Sequence, residues 1–501
     1  MLQIIWAITF VGIILLGILA GSKIKNIRDW ALGGRNLSWL DVGALIAAFQ
    51  MGGTTIVGVA QNGFLIGMSG AWYSITGTAA ILCLALVVKR IRDRVSGDSV
   101  SVFIAERFDS ASSKVYTYSY LLMGFFYIPI QLFALCTIIQ VIIPNATLAV
   151  AAVIGLLLSV SYSALSGIQG AKVVGKLTCL LSYVFIAAGV FWILSQAGGW
   201  GALTRDLPGT YFGMTAMPWT TIIGWFVTSV VGFITMQAAI QPVLAAKDTT
   251  HARLGAVAGA FISLPMGFLT AICGMVAKTV TPEIDSANAF VATVGGFLPT
   301  WLVGIIFGAV ALIIATTLSS QVLAVGTIMK NLYVNEFRKN ADEKKVLVIS
   351  RSMTFLFSIL SLIPIFFISR ATLSNIFVVL LACGTGPMGF TVIGGLYWKK
   401  ATKQGALWSM LTGFAVGIAW VALGLSEKLH PIYPILIVSV LVGIIVSAAT
   451  QHRQSEALEK TCSFRHRRGR SADRSVRRMK KAPRPAESIT QNTVGGRDES
   501  C

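Results

Sequence analysis

The sequence predicts an all-helical, polytopic membrane protein, and three observations lead to that fold class. Of the 501 residues, 55% are hydrophobic and only 12% are charged, and the mean hydropathy is +0.76. Roughly a quarter of the residues of a soluble domain are charged, so a chain this apolar needs lipid around it. Long apolar runs also follow one another from residue 2 to about residue 449 with only short polar breaks. Such runs are typical of consecutive transmembrane helices.

The lengths of these runs give the expected number of spans. A helix needs about 20 apolar residues to cross the roughly 30 Å hydrocarbon core of a bilayer. By that measure we predict about thirteen spans, at residues 3–21, 42–67, 70–88, 116–141, 147–166, 177–197, 219–243, 254–277, 299–329, 349–369, 374–398, 404–424 and 433–450. They form one predicted transmembrane domain over residues 1–450, which a tail over residues 451–501 follows.

Lysine and arginine are concentrated in alternate loops between the predicted spans. The basic loops lie at residues 23–35, 89–114, 172–176, 247–253, 330–351 and 399–403. The intervening loops hold only Arg205, Lys278, Arg370 and Lys428. Because positively charged loops stay in the cytoplasm, we expect the N-terminus outside and the C-terminus inside, in the cell membrane.

The tail over residues 451–501 is basic, and its residues 465–470 read Arg-His-Arg-Arg-Gly-Arg. It contains Ser and Pro but few apolar residues, so it is predicted to be disordered. Beside a membrane it would either adhere to anionic lipid headgroups or remain solvated without a specific partner. Despite the formal net charge of +20, it shows no pattern of aromatic residues for stacking bases. We therefore expect no nucleic-acid partner.

The predicted spans contain little of the polar machinery that catalysis requires. All four histidines lie outside them, and the spans contain almost no Asp or Glu. No zinc-protease helix, nucleophile elbow or phosphate-binding loop occurs in the sequence. Five of the seven cysteines lie in spans and none forms a CxxC pair, so neither a zinc site nor a disulfide framework is indicated. We predict that the protein is not an enzyme and has no cofactor.

Uncharged polar residues are instead concentrated in two spans. Residues 50–55 read Gln-Met-Gly-Gly-Thr-Thr near the middle of the second span. Adjacent glycines weaken a helix there, and unwound backbone at membrane depth must be buried or line a wet cavity. The alternative is that the glycines only permit close helix packing. In the ninth span, residues 315–321 read Ala-Thr-Thr-Leu-Ser-Ser-Gln, which offers the oxygen ligands that hard cations prefer.

Several segments, in the same order along the chain, resemble the sodium:solute symporter family. They are the two polar clusters and residues 28–35 (Arg-Asp-Trp-Ala-Leu-Gly-Gly-Arg), 241–247 and 397–406. The family often has Arg where Pro242 stands. The resemblance covers about residues 3–450 and implies a LeuT-like core of two inverted five-helix repeats, approximately 42–197 and 219–398. It also implies alternating-access symport of a small organic solute with sodium as the coupling ion. The spans place no charged side chain where it could bind a solute of opposite charge. A neutral or zwitterionic solute such as an amino acid therefore fits best.

The resemblance further implies an ion site and a substrate site beside it. The sodium ligands would be three backbone carbonyls and two hydroxyls, from Ala48, Met51, Ile313, Thr316 and Thr317. The substrate site would be formed by five residues of the second and seventh spans, Gln50, Gly52, Gly53, Ser229 and Phe233.

One position departs from the family pattern. At the start of the sixth span, family members usually have a Thr-Asp pair and a Gln. This chain has Gly175-Lys176 and Cys179 there instead. The missing acid argues against a second sodium site there. Lys176 either replaces an ion as a coupling residue or is a loop lysine that reaches the membrane interface. With Lys176 in place of an ion, the alternative to sodium symport is a proton-coupled or uncoupled carrier of the same fold. A separate alternative is a transporter-like membrane sensor, because such domains can be joined to signalling domains.

Overall fold

The computed structural model describes residues 1–21, 24, 27–95, 97–336, 343–367 and 373–451. The chain divides into one unit over Met1–Ala448 and a second over Ala449–Cys501. Apart from residue 451, the predicted disordered tail over residues 451–501 lies outside the described residues.

The first unit is built from helices, as predicted, and its described part has no strand beyond an isolated bridge between Leu37 and Ala246. In chain order the helices up to the middle of the sequence are α1 Leu2–Gly21, α2 Ile27–Leu32, α3 Trp39–Gln50, α4 Val59–Ile66, α5 Trp72–Arg94, α6 Val100–Arg107, α7 Ser110–Ile142, α8 Leu148–Leu181, α9 Ala188–Gln196 and α10 Gly199–Asp206. The remaining helices are α11 Trp219–Thr235, α12 Gln237–Ala245, α13 Thr249–Val280, α14 Ala289–Phe297, α15 Thr300–Glu336, α16 Glu343–Leu360, α17 Leu373–Thr385, α18 Phe390–Tyr397, α19 Lys403–Ala422 and α20 Ile432–Gln451.

The number of spans differs from the predicted thirteen. Among the described residues, nine helices are long and apolar enough to cross a membrane, or eleven if each of two bent pairs is one span. The two pairs are α11 with α12 and α17 with α18, each bent by 49°. The count of thirteen is not confirmed, because two predicted boundaries hold a break at a glycine and not a longer loop. Residues 54–94 form one run with a break at Gly67 (φ 63°, ψ −142°), and α8 consists of two helical segments joined by a kink at Gly167.

Within α8, only Gly167 departs from helical geometry, with φ 51° and ψ −147°. A side chain at that positive φ would be strained, and its Cβ would also collide with the backbone oxygen of Trp30. The fully buried Trp30 fills the bend and donates its indole N–H to the carbonyl of Ala164 at 3.0 Å. The glycine therefore marks a sharp kink, around a tryptophan of α2, between two helical segments of α8.

Loops that follow alternate spans meet at the same end of the bundle. Arg35, after α1, donates to the carbonyl of Gly97, after α5, at 2.9 Å. Arg92, near the end of α5, donates to the carbonyl of Val243 in α12 at 2.6 Å. The described residues of the basic loops at 23–35, 89–114 and 247–253 therefore lie at one end of the bundle.

Helix α15 lies at the centre of the bundle. In its most apolar stretch 94% of the residues are buried, whereas the corresponding share is 28% in α1 and in α20. Polar side chains on α15 must therefore find partners within the protein. The hydroxyl cluster predicted from residues 315–321 faces protein and not lipid.

A candidate ion and solute site at the broken helix

Helix α3 ends in the middle of the second predicted span. Met51 leaves the helix with φ −79° and ψ 23°, and its N–H still donates to the carbonyl of Ala47 at 2.8 Å. The helical hydrogen bonds then restart from the carbonyl of Gly52, which accepts the N–H groups of Thr55 and Ile56 at 3.0 and 3.2 Å. The predicted break is present at residues 51–53.

The glycines at this break are required by packing and not by backbone conformation. Gly53 has φ −57° and ψ −33°, which any residue adopts, and Gly52 has no positive φ either. A Cβ on Gly53 would lie 2.5 Å from the Cβ of Ala134, and one on Gly52 would lie 2.9 Å from the methyl group of Thr317. The two alternatives considered for this segment, a break and close packing, therefore occur together.

Side chains replace the helical partners that the break removes. The hydroxyl of Thr55 donates to the carbonyl of Gln50 at 2.6 Å, and that of Thr270 donates to the carbonyl of Thr55 at 2.9 Å. From α7, the side-chain oxygen of Gln131 accepts the N–H of Thr54 at 3.3 Å. The broken backbone is thus hydrogen-bonded to neighbouring helices, which keeps it stable at membrane depth.

Three of the five predicted sodium ligands come together at the break. The hydroxyl of Thr317 donates to the carbonyl of Ala48 at 2.7 Å and lies 3.0 Å from the carbonyl of Ile313. All three residues are fully buried. These neutral oxygens join the end of α3 to the middle of α15 and have the chemistry that a hard cation prefers.

The other two predicted ligands lie beside this group. Met51 closes α3 three residues after Ala48. The hydroxyl of Thr316 donates to the carbonyl of Leu312 in its own helix at 2.5 Å and lies 3.4 Å from the hydroxyl of Thr178 in α8. Sequence reasoning missed Thr178, although it lies three residues after the departing Gly175. Among the described residues no group of three or more His, Cys, Asp or Glu could hold a metal ion.

Lys176 does not stand in a loop, because it lies within α8. Its ammonium group is 2.7 Å from the carboxylate of Asp41, and the exposed fractions of the two side chains are 48% and 9%. The same carboxylate accepts the N–H and the hydroxyl of Ser38 at 3.0 and 2.8 Å, so it caps the N-terminus of α3. Asp41 was also missed, although the Ser-x-x-Asp pattern at residues 38–41 is a recognisable capping signal.

A cavity lies next to the break, with about 440 Å³ of space when its opening to the surroundings is counted. It is lined by residues of α3, α5, α7, α11, α17 and the α11–α12 bend, namely Phe49, Gln50, Tyr73, Tyr127, Thr228, Ser229, Gly232, Phe233, Met236, Phe377, Val378 and Leu381. Of the predicted substrate residues, Gln50, Ser229 and Phe233 line it. Gly52 and Gly53 do not, because they pack against α7 and α15.

Five of the twelve residues that line the cavity are aromatic. Phe49 stacks with Tyr127 at a centroid distance of 6.2 Å and meets Phe233 edge-on at 6.0 Å. Phe377 meets Tyr127 at 5.0 Å and Tyr73 at 6.3 Å. Apart from Phe233, no local signal in the sequence pointed to these rings, because they come from separate helices and belong to no common motif.

These features define an integral, multi-pass membrane protein of the carrier class, with a broken helix, a neutral oxygen site and an adjoining cavity. Residues 30–413 match the sodium:solute symporter family. The chain therefore belongs to the sodium:solute symporter family, a family of symporters and not of enzymes. Sodium-coupled symport of small solutes, the function predicted from the sequence, is confirmed at the level of this family.

Two relatives show the range of that family. Sodium/myo-inositol cotransporter 2 of Homo sapiens is 22% identical, over 88% of this chain and 75% of that protein. The osmoregulated proline transporter OpuE of Bacillus subtilis (strain 168) is 24% identical, over 89% of this chain and 94% of that protein.

The fold is shared with a solved structure of a Na⁺-coupled sialic acid symporter in a substrate-bound, outward-open state. The TM-score is 0.75 at 15% sequence identity, over 90% of this chain and 97% of the other. The predicted LeuT-like fold is thereby confirmed.

Proposed function

We propose that this chain imports one small organic solute, neutral or zwitterionic, together with sodium by alternating access across the cell membrane. The N-terminus faces outward and the C-terminus the cytoplasm in this proposal. The meeting of the basic loops at one end of the bundle supports this orientation, because basic loops remain cytoplasmic.

The observation that carries the proposal is the position of the Thr317 hydroxyl. It contacts carbonyls of both α3 and α15, so a cation bound there would hold the two helices together. The neighbouring residues Phe49 and Gln50 line the solute cavity. Sodium binding would therefore fix the part of α3 that the solute contacts, which is a direct structural link between the two ligands.

The membrane potential makes such coupling useful. One positive charge moving inward across about 100 mV contributes about 2.3 kcal/mol, before any contribution from the sodium gradient. Since about 1.4 kcal/mol is a factor of ten, this alone supports solute accumulation on the order of fifty-fold.

The moving parts in this proposal are the two inverted repeats, approximately residues 42–197 and 219–398. Each begins with an interrupted helix: α3 is broken at residues 51–53, and α11 meets α12 at a 49° bend. Both interruptions contribute to the cavity, through Gln50 and through Met236. Rocking of one repeat against the other would open the cavity to either side in turn.

The proton-coupled or uncoupled alternative depended on Lys176. Its ion pair with Asp41 and its half-exposed side chain support a structural role at the start of α3. We therefore propose that sodium is the coupling ion and that Lys176 has no part in ion coupling.

Binding of radiolabelled sodium to the purified chain tests this function and does not require the solute to be identified. Thr317→Val removes the bridging hydroxyl at nearly constant volume and is expected to weaken sodium binding at least tenfold. Thr412→Val is the matched control, because the hydroxyl of Thr412 donates to its own-helix carbonyl at Trp408, 2.7 Å away. Equal sodium affinity in both variants would contradict the site. Uptake into proteoliposomes driven by a proton gradient but not by sodium would contradict the coupling.

A further inference from the structure

The cavity beside the broken helix offers no charged partner to a solute. Among the described residues that line it there is no Asp, Glu, Lys, Arg or His. A charged group that leaves water for such a site loses its hydration without gaining an opposite charge. A solute with a net charge is therefore poorly matched to these walls.

The broken helix does not supply the missing charge through its backbone. A carboxylate can bind to free N–H groups at the start of a helix. Here the N–H of Thr54 already donates to Gln131, and those of Thr55 and Ile56 donate to the carbonyl of Gly52. The first amides of the second half-helix thus have partners inside the protein, and the carboxylate of a zwitterion would have to displace them.

The proposed sodium site is also separate from the cavity walls. Its three bridging oxygens belong to Ala48, Ile313 and Thr317. None of these residues is among those that line the cavity. The ion is therefore placed to fix α3 and does not replace a charged side chain in the solute site.

The polar groups that do line the cavity are uncharged. Thr228 on α11 is 1% exposed, and its hydroxyl has no hydrogen-bond partner among the described residues. A buried, unpartnered hydroxyl is destabilising unless a ligand or a water satisfies it. Gln50 and Ser229 add an amide and a second hydroxyl, and all three groups can both donate and accept.

The remaining residues that line the cavity are aromatic or apolar. Five aromatic rings surround the cavity, from Phe49, Tyr73, Tyr127, Phe233 and Phe377. The hydroxyl of Tyr73 shares a 2.9 Å hydrogen bond with Thr54, which fixes its ring. Such walls bury the face of a ring well, whereas they offer little to an extended ionic chain.

We infer that the solute is an uncharged ring compound whose hydroxyl, carbonyl or amide groups bind to Gln50 and Thr228 while its faces lie against the aromatic rings. This inference rests on the proposed function and narrows it, because it excludes the zwitterionic amino acid that the sequence left open.

Thermal unfolding of the purified full-length chain tests the solute class, with NaCl compared against KCl. Suitable probes are the pairs glucose and glucuronate, and nicotinamide and nicotinate, together with zwitterionic L-proline. We expect the uncharged member of a pair to give the larger sodium-dependent stabilisation, and the two pairs distinguish a hydroxylated ring from a heteroaromatic one. A larger effect of a carboxylate or of proline would overturn the inference and leave sodium symport intact. Sodium-independent responses to every probe would contradict the proposed function and the inference with it.

Substitutions at Thr228 test the recognition residue. Thr228→Val keeps the shape but removes the hydroxyl, and we expect affinity for the best uncharged probe to fall about tenfold, with Thr228→Ser remaining within about threefold of the wild type. Thr235→Val on the same helix is the control, because its hydroxyl donates to the carbonyl of Val231 at 2.7 Å and it does not line the cavity. Unchanged affinity in Thr228→Val, with unchanged melting temperature without solute, would overturn the assignment.

Discussion

Single hydroxyl and carboxyl groups link the helices around the site. The Thr317 hydroxyl joins α15 to the end of α3, while the Asp41 carboxylate joins the beginning of α3 to α8. Both ends of this short helix are therefore held by side chains of other helices. The Thr317 contact lies at the proposed ion site itself, whereas the Asp41–Lys176 pair holds the opposite end of α3, remote from that site.

Lys176 provides the residue-scale test of the coupling ion. Lys176→Met removes the ammonium group and keeps the apolar part of the side chain, and the sodium dependence of binding is expected to stay unchanged. Because the lysine is 48% exposed, we expect its pairing with Asp41 to contribute no more than about 1 kcal/mol to stability. Sodium titrations of the solute response measure the first effect, and melting temperatures the second. Loss of the sodium dependence in Lys176→Met would instead show that Lys176 takes part in ion coupling.

At the scale of elements, interrupted helices are stabilised by close contacts with their neighbours. Helix α7 approaches the break so closely that Ala134 and Gln131 would both meet a side chain at Gly53. At the kink of α8, a Cβ on Gly167 would likewise collide with another element, here the backbone oxygen of Trp30 in α2. Glycine is therefore needed where another element passes within van der Waals distance of the backbone.

A compensating pair of substitutions tests this packing. Gly53→Ala places a methyl group about 2.5 Å from the Cβ of Ala134, so the variant is expected to melt at a lower temperature and to bind sodium weakly. Adding Ala134→Gly removes the colliding group and should restore a large part of both properties. Ala134→Gly alone serves as the control for the cost of the second glycine. If the double variant melts no higher and binds sodium no more tightly than Gly53→Ala, the glycine is needed for its backbone conformation and not to avoid a collision with Ala134.

A second network ties three elements together at the basic end of the bundle. Asp98 pairs with Lys330 of α15 and accepts from Asn331 at 3.0 Å, and its carbonyl accepts from Gln237 at the start of α12 at 2.9 Å. The exposed fractions of the lysine and aspartate side chains are 11% and 20%. The segment between α5 and α6 thereby fixes α12 next to its bend.

Removing the Asp98 carboxylate leaves the largely buried ammonium group of Lys330 without its ion-pair partner. Asp98→Ala is expected to destabilise the protein by about 1–3 kcal/mol, between the values for surface and buried ion pairs. Denaturant or thermal unfolding in detergent measures the loss. Asp206→Ala is the matched control, since its pair with Arg205 is exposed and its removal should leave the melting temperature unchanged. Equal effects of the two variants would show that the Asp98 network contributes little.

At the scale of the whole molecule, packing of the last helices makes stability depend on pH. His430 lies between α19 and α20, is 8% exposed, and packs against Gly224 of α11. Burial lowers the pKa of its imidazole to about 4, from an ordinary value of 6.5. The N–H of Ile432 approaches Nδ1 at 3.4 Å, which suits the neutral ring.

The sign of the pH effect follows from this lowered pKa. Below about pH 6.5 the imidazole of His430 binds a proton in the unfolded chain but not in the folded protein. The stabilisation from neutral His430 is therefore fully present above about pH 6.5 and is lost as the pH falls towards 4. The full contribution is roughly 2–4 kcal/mol. Melting temperatures measured across this range should fall more steeply for the wild type than for His430→Gln. Parallel curves for the two proteins would contradict a buried neutral His430.

The sequence by itself indicated the class of this protein, the positions of most spans, the break at residues 51–53 and the run of hydroxyls at residues 315–321. These features are local, because hydrophobic length, paired glycines and a run of hydroxyls are each contained within a few helical turns. The family resemblance added the assignment of sodium ligands to Ala48, Met51, Ile313, Thr316 and Thr317, which stays a prediction. The structure brings the carbonyls of Ala48 and Ile313 to the Thr317 hydroxyl.

Only the tertiary structure decided what surrounds the break. Tyr73, Tyr127 and Phe377 lie far apart in sequence and become one wall only when α5, α7 and α17 pack together. Gly52 and Gly53 face neighbouring helices and not the cavity, which depends on how α7 and α15 approach the break. A side chain's surroundings depend on residues hundreds of positions away, so hydropathy and local motifs do not reveal them.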